Sequence, residues 1–258
     1  MKLGFIGVGT ITAAIVEGLC KTQPEIEIIL SPRNAETAAA LAARYGNVRV
    51  AVGNQAVLDE SEIVVLAVRP QIADEVLRAL RFRGDHHVLS LIATVSLDYL
   101  RSATAPAGRV TRAVPLPMVA MQEGPTAIFP GDEKVRSLFE RIGTAIVLEN
   151  EAEFDVFTAA TAVMASYFAF AGTVTGWMER GGISPEKARA FVGQMLQGLS
   201  RTAPERDFAT LADEHQTRGG INEQVVRHVA PGGVIPDLDA ALDAVLVRLK
   251  SAPPKQPD

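Results

Sequence analysis

Gly7-Val8-Gly9 follows the apolar run KLGFI (2–6) directly and precedes Thr10. It is the first place where residue type and spacing could do chemistry. Read as strand, turn and helix start, it forms a cradle for a dinucleotide. The first glycine permits the tight turn, and the second lets the backbone approach a pyrophosphate. The helix behind it offers unpaired N–H groups and a positive dipole end to the same phosphates. Gly7, Val8, Gly9, Thr10 and Ile11 are therefore the pyrophosphate candidates. Thr12 stands where the third glycine of the usual pattern would be, so an ordinary glycine turn remains the competing reading. The end of the second strand decides which dinucleotide is bound. An Asp or Glu there would hold a ribose 2′-hydroxyl. Here IEIIL (26–30) runs into Ser31-Pro32-Arg33-Asn34 with no acid. Ser31 can donate to a phosphate, and Arg33 can grip one with two N–H groups. This predicts NADP, with NADPH preferred over NADH; a solvated loop arginine is the alternative for Arg33.

No catalytic residue is assigned. The six lysines stand at 2, 21, 134, 187, 250 and 255. None falls on the helix predicted over 151–180, where a hydroxyacid dehydrogenase of this layout would carry its acid or base. An imine nitrogen is readily protonated in water, so a site without an obvious acid suits C=N reduction. His86, His87, His215 and His228 lack metal-ligand spacing, and no metal is expected.

The elements that must position these residues alternate over the first part of the chain. Strands are predicted at 2–6, 26–30, 48–52, 62–68 and 87–93, and helices over 10–19, 35–45 and 70–80. Such alternation implies a parallel sheet with right-handed crossovers. Further strands fall at 109–114, 124–130 and 145–148, with a helix over 133–142. Beyond Glu149 the pattern is helical: 151–180, 184–201, 204–214, 221–229 and 236–250. The fold expected is an α/β Rossmann-type nucleotide-binding domain (1–149) followed by an all-α dimerisation domain (150–250). Residues 251–258 (SAPPKQPD) are expected to form a disordered tail.

Composition sets the remaining bounds. With 48% hydrophobic and 21% charged residues the chain is globular. A net charge of −5, with neither half basic, argues against nucleic acid. The single cysteine, Cys20, fits a reducing compartment, hence the cytoplasm. The apolar run Leu3–Leu19 contains four glycines and Glu17, which argues against an export signal. Residues 156–178 carry no Asp, Glu, Lys or Arg and are long enough to span a bilayer. Their many Thr and Ala predict instead a helix buried on all sides by protein, with no membrane partner. That much apolar surface in about 100 helical residues predicts a homodimer or larger. Gly172 and Gly176, four apart, would allow close helix approach.

In register and order, a set of motifs resembles the pyrroline-5-carboxylate reductases, which reduce a cyclic imine to proline with NAD(P)H. GVGTITAAIVEGL (7–19) is similar to their G-x-G-x-M-x-x-A-I-x-x-G-L. Asn54 matches a cofactor-contacting Asn, AVRPQ (67–71) resembles A-V-K-P-Q, and RAVP (112–115) resembles R-A-M-P. Glu123, Gly124 and Thr126 fit the E-G-x-T that follows, and ISPEKA (183–188) fits a later helix start. The resemblance runs through most of the chain. It implies that Asn54 with Ala67, Val68, Arg69 and Pro70 lines the adenosine and ribose side. It implies that Leu91, Ile92 and Ala93 approach the nicotinamide half. Glu205 and the loop Thr217, Arg218, Gly219, Gly220, Ile221 and Asn222 would form the substrate end. Exposed N–H groups near Gly-Gly, at a helix start, would favour the substrate carboxylate. An interlocked dimer is implied, with substrate between one nucleotide domain and the helices of both chains.

The substrate half departs from the family pattern. P-N-T-P reads Pro115-Leu116-Pro117-Met118, so a polar Asn and Thr are lost. G-S-G-P-A-Y reads Ala162-Val163-Met164-Ala165-Ser166-Tyr167, and S-P-G-G-T-T reads Thr217-Arg218-Gly219-Gly220-Ile221-Asn222. The expected function is NADP-dependent reduction of 1-pyrroline-5-carboxylate to proline. An imine reductase for another cyclic imino acid and a non-catalytic dinucleotide-binding protein are the alternatives.

Overall fold

The computed structural model describes residues 1–203, 206–229 and 234–251, with the backbone alone at 234–236. Inter-residue contacts divide the chain into two compact units, Met1–Ala159 together with the residues from Leu246 on, and Ala160–Val245.

The first unit is an eight-stranded sheet. Its strands are β1 (Lys2–Ile6), β2 (Glu27–Leu30), β3 (Val48–Val50), β4 (Ile63–Leu66), β5 (His87–Ser90), β6 (Arg109–Pro115), β7 (Pro125–Phe129) and β8 (Thr144–Val147). Their order is β3-β2-β1-β4-β5-β6-β7-β8. From β3 to β6 all neighbours are parallel; β7 then turns back on β6, and β8 runs parallel to β7. The helices are α1 (Thr10–Thr22), α2 (Ala35–Arg44), α3 (Asn54–Glu60), α4 (Pro70–Arg78), α5 (Leu97–Ala103), α6 (Glu133–Glu140) and α7 (Glu151–Ala160). A 3₁₀ turn lies at Pro117–Met121.

Alternate strand residues feed two cores. Phe5, Ile28, Leu30, Ile63 and Val65 pack with α1 and α6, while Ile6, Ile29, Val64 and Leu66 pack with α3, α4 and α5. A sheet covered on both faces needs strands that are apolar throughout, which is why β4 reads IVVL without a polar break. At Gly18 a Cβ would come 2.3 Å from the Val119 carbonyl oxygen, so only glycine lets α1 approach the 117–121 turn this closely.

Several features depart from the sequence reading. α3 and α5 have seven residues each, too short for a clear helical period. β5 stops at Ser90 instead of 93, because the Ser90 hydroxyl accepts the Ile92 N–H and turns the chain. The helical segment from 151 is interrupted by a 3₁₀ turn at Thr161–Val163. Its first part, α7, belongs by contacts to the sheet unit, because Phe154 is fully buried there.

The second unit holds α8 (Met164–Arg180), α9 (Pro185–Thr202), α10 (Phe208–Glu214), α11 (Ile221–Val229) and most of α12 (Val234–Ser251). Asp207 caps α10 with its carboxylate, so that helix starts at 208; residues 204 and 205 lie outside the description. The tail expected to be disordered lies outside it too, from 252 on. α8 corrects the expectation of a helix buried on all sides. None of its residues is buried within this chain; Phe168 is 70% exposed and Trp177 68%. Nor do the paired glycines mark close packing here, since a Cβ on Gly172 would meet nothing. By length and composition alone, Glu151–Arg180 is apolar enough to cross a membrane.

Candidate functional site

The carboxyl ends of four parallel strands form a row. Phe5 pairs with Leu30, Ile6 with Leu66, and Leu66 with Ser90. The loops that begin at Ser31, Gly7, Ala67 and Leu91 therefore leave the sheet at one edge. Three strand spacings, about 14 Å, separate the first from the last. Chain order reverses between β1 and β4, and the crevice at such a switch point is where open α/β sheets bind ligands. A long molecule with two nucleotide halves fits a row of this kind.

Gly7 has φ +102°, and a Cβ on it would lie 2.4 Å from the Ala67 carbonyl oxygen. Backbone conformation and the neighbouring strand both demand glycine. Gly9 is different. Its φ is −96°, and a Cβ there would meet no atom within 4 Å. Nothing in the protein requires glycine at 9, whereas a group lying against the backbone would. The residues thus fit a bound pyrophosphate, with the first-turn N–H groups of α1 beside it. Thr12, in the third-glycine position, is fully buried and donates its hydroxyl to the Gly7 carbonyl at 2.8 Å. It braces the turn.

Ser31 corrects the sequence reading. It is fully buried, and its Oγ accepts the Gly7 N–H at 3.0 Å. The hydroxyl shapes the glycine turn from behind and does not face a ligand. Asn34 adds to this by donating to the Val8 carbonyl at 2.8 Å. Arg33 is exposed between these two anchors, free to meet an anion. Asn54 opens α3, half-buried behind Gly53. Ala67 and Val68 are half-buried, and Arg69 is an exposed residue at the cap of α4, which Pro70 begins. Leu91 and Ala93 are half-buried and Ile92 is buried.

Sequence reasoning gave RAVP no role. The structure places Arg112 of β6 next to Ser90, 2% exposed, with its guanidinium 4.2 Å above the Phe154 ring. It pairs with Glu151 at 2.5 Å and lies 3.9 Å from Asp155. Burial pulls the Arg112 guanidinium below its ordinary value, against both carboxylates. Burial likewise pushes the Asp155 carboxyl up, against the pull of Arg112. The signal available beforehand was an arginine in the middle of a largely apolar strand, which requires a partner when buried.

The loop expected to form the substrate end belongs to the second unit. Glu205 lies outside the described residues. Thr217, Arg218, Gly219 and Gly220 precede α11, which Ile221 and Asn222 begin. The expected free glycine N–H groups are already engaged. Gly219 donates to Glu223 at 2.6 Å, and Gly220 to the Thr217 carbonyl at 2.7 Å. A Cβ on Gly220 would lie 2.8 Å from that same carbonyl oxygen, so the turn itself selects glycine. Asn222 donates to the His215 carbonyl. The N–H groups left for an anion are those of the first turn of α11. Among the described residues, no group of three His, Cys, Asp or Glu side chains could hold a metal ion.

Comparison with known proteins bears on both units. Residues 2–94 match the family described as NADP oxidoreductase coenzyme F420-dependent, and residues 151–252 match the pyrroline-5-carboxylate reductase dimerisation family. Pyrroline-5-carboxylate reductase of Pseudomonas aeruginosa is 24% identical over 96% of this chain and 95% of its own length. The Methanosarcina acetivorans enzyme is 27% identical over 90% and 91%. The chain belongs to the pyrroline-5-carboxylate reductase family. The solved structure of the Streptococcus pyogenes 1-pyrroline-5-carboxylate reductase superimposes with a TM-score of 0.86 at 25% identity. The match covers 98% of this chain and 99% of that one. The same fold recurs in the Plasmodium falciparum pyrroline carboxylate reductase with NADP bound, at a TM-score of 0.85, 18% identity and 97% coverage of both chains. Within this family frame, the chain keeps an intact glycine turn, and it departs from the family pattern at Leu116, Pro117 and the 217–222 loop.

Proposed function

We propose that this chain is an oxidoreductase that reduces the C=N bond of a cyclic imino acid with NADPH, converting 1-pyrroline-5-carboxylate to proline. The observation that carries it is Gly9 at the head of α1, where a Cβ would meet no protein atom, in a chain of this family. Gly7 to Ile11 hold the pyrophosphate through backbone N–H groups. Arg33 takes the 2′-phosphate, without Ser31. Asn54 and the 67–70 turn line the adenosine side, and Leu91 to Ala93 line the nicotinamide side. When bound, NADPH supplies the hydride. The chain's own residues fix both partners and exclude water, and the imine nitrogen takes its proton before or during transfer without a dedicated side-chain acid.

The exposed aromatic residues of α8 and the match to a dimerisation family support a homodimer or larger assembly in which a second copy covers that helix. The net charge of −5 and the single cysteine support a cytoplasmic enzyme without a nucleic-acid partner, and a second copy on α8 would leave no need for a membrane. Another cyclic imino acid is the second reading, favoured by Leu116 and Pro117 where the family pattern has Asn and Thr. NADPH oxidation measured with pyrroline-5-carboxylate and a panel of other cyclic imines tests both. Turnover of pyrroline-5-carboxylate supports the first, and a strong preference for a different ring supports the second. No oxidation with any imine refutes both.

A further inference from the structure

The segment that follows β5 carries the nicotinamide-side residues, yet it has no regular structure between Ser90 and α5. Its upper end is fixed by the sheet: Leu91 donates to the Leu66 carbonyl at 2.9 Å. Its far end is fixed by side chains. The Arg112 guanidinium donates to the Ala93 carbonyl at 3.2 Å. The Glu151 carboxylate accepts the Leu97 N–H at 2.7 Å. One and the same Glu151 oxygen also receives Arg112 at 2.5 Å. Strand β6 and helix α7 thus meet across the loop, each holding one end of the five-residue stretch from Ala93 to Leu97.

We propose that Arg112 is a positioning residue for hydride transfer: with Glu151 it forms a brace that sets the height of Leu91–Ala93 against the nicotinamide half of the cofactor. The proposal rests on the NADPH reading above. Arg112 itself touches no reacting atom, because it lies beneath the loop and is almost wholly buried. The fork of a guanidinium is what the geometry uses. One nitrogen reaches a carbonyl and another a carboxylate, in directions that a lysine ammonium cannot serve together. Displacing a loop beside the reacting centre by about 1 Å can cost a factor on the order of 100 in rate.

Three variants separate this role from a merely structural one. Arg112→Met removes both contacts, Arg112→Lys keeps charge but not the fork, and Glu151→Gln keeps an acceptor on the half-exposed side of the brace. The first readout uses the protein without cofactor: amide hydrogen exchange at residues 93–97. We expect faster exchange there in Arg112→Met and Arg112→Lys, and near-normal exchange in Glu151→Gln. The second uses the full enzyme with NADPH carrying deuterium at the transferred position. The two arginine variants should lose about 10- to 100-fold in kcat, with a larger isotope effect on kcat and a smaller change in KM for pyrroline-5-carboxylate; Glu151→Gln should recover most of it. Unchanged exchange at 93–97 in folded Arg112→Lys, or in Glu151→Ala should both arginine variants fail to fold, overturns the brace. So does a fall in kcat that only tracks the folded fraction with an unaltered isotope effect. If wild-type enzyme oxidises no NADPH, the functional reading fails, and exchange still decides whether the brace exists.

Discussion

Two glycines two residues apart offer a test in which folding and binding respond oppositely. In Gly7→Ala the new methyl meets the Ala67 carbonyl oxygen at 2.4 Å, and the backbone must hold φ +102°. A left-handed conformation costs an L-residue about 1–2 kcal/mol. Relieving the contact by shifting the turn away from β4 costs about 1–3 kcal/mol more. The loss of roughly 2–5 kcal/mol is a large share of a typical stability of about 5–15 kcal/mol. In Gly9→Ala the methyl enters empty space at an ordinary φ of −96°. Alanine is a poorer helix cap than glycine by several tenths of a kcal/mol, and the stiffer unfolded chain returns about 0.4–1 kcal/mol. Stability should stay within about 0.5 kcal/mol of wild type, while the methyl stands where the pyrophosphate must lie. Thermal denaturation of the unliganded protein and fluorescence titration with NADPH read the two effects. Gly7→Ala should melt well below wild type. Gly9→Ala should melt with wild type yet bind NADPH at least tenfold more weakly. Undiminished NADPH affinity in Gly9→Ala would refute the cradle, and an unaltered melting point in Gly7→Ala would refute the assigned close approach.

Arg33→Ala should weaken NADPH by about 1.5–3 kcal/mol, the range for hydrogen bonds to charged groups, or roughly ten- to a hundredfold in Kd. NADH should barely change, and equal losses for both cofactors would remove Arg33 from the 2′-phosphate. Light scattering at micromolar concentration should find a dimer or larger; an active monomer contradicts the reading of α8. Stability should fall as pH drops below about 6.5. Burial holds the His86 and His87 imidazoles below their usual value, at His87 against the pull of Asp132. The unfolded chain therefore binds more protons in that window, and stability present at higher pH is lost on acidification. His87→Gln should flatten the pH dependence of the melting point between pH 7.5 and 5.5, and an identical slope would exclude His87 as a source. Glu223→Ala removes the carboxylate that occupies the Gly219 N–H and leaves no acceptor in its place. If the 217–222 loop receives the substrate carboxylate, KM for pyrroline-5-carboxylate should fall by about threefold, the scale of an exposed charge contact; a higher KM would argue against the loop.

What the sequence displayed and what it hid divide along physical lines. Strand β4 and the strand-glycine-helix unit were legible because an apolar run and a backbone demand leave marks in residue type. Helices α3 and α5 were not, because seven residues complete too few turns to show a period. Ser31 was misread for a related reason. Its type suits a phosphate, but whether a hydroxyl faces a ligand or its own backbone depends on the neighbouring strand, and here Gly7 claims it. The glycine pair at 219 and 220 failed similarly: composition shows that N–H groups are sterically open, not that Glu223 and Thr217 already hold them.

The helix after 160 shows the converse. Its lack of charge points to burial, but no residue of α8 is buried within one chain, so the sequence records a surface that this chain alone does not cover. Arg112 was the residue hardest to read. An arginine in a strand has no meaning until β5, β6 and α7 are brought together, and then its fork can serve only partners that long sequence separation kept invisible: Ala93 nineteen residues earlier and Glu151 thirty-nine later. Backbone cradles are written locally and survive in a motif, whereas the contacts that aim a loop are written across the fold. In this chain the glycine turn could be read from spacing, and the contacts of Arg112 could not.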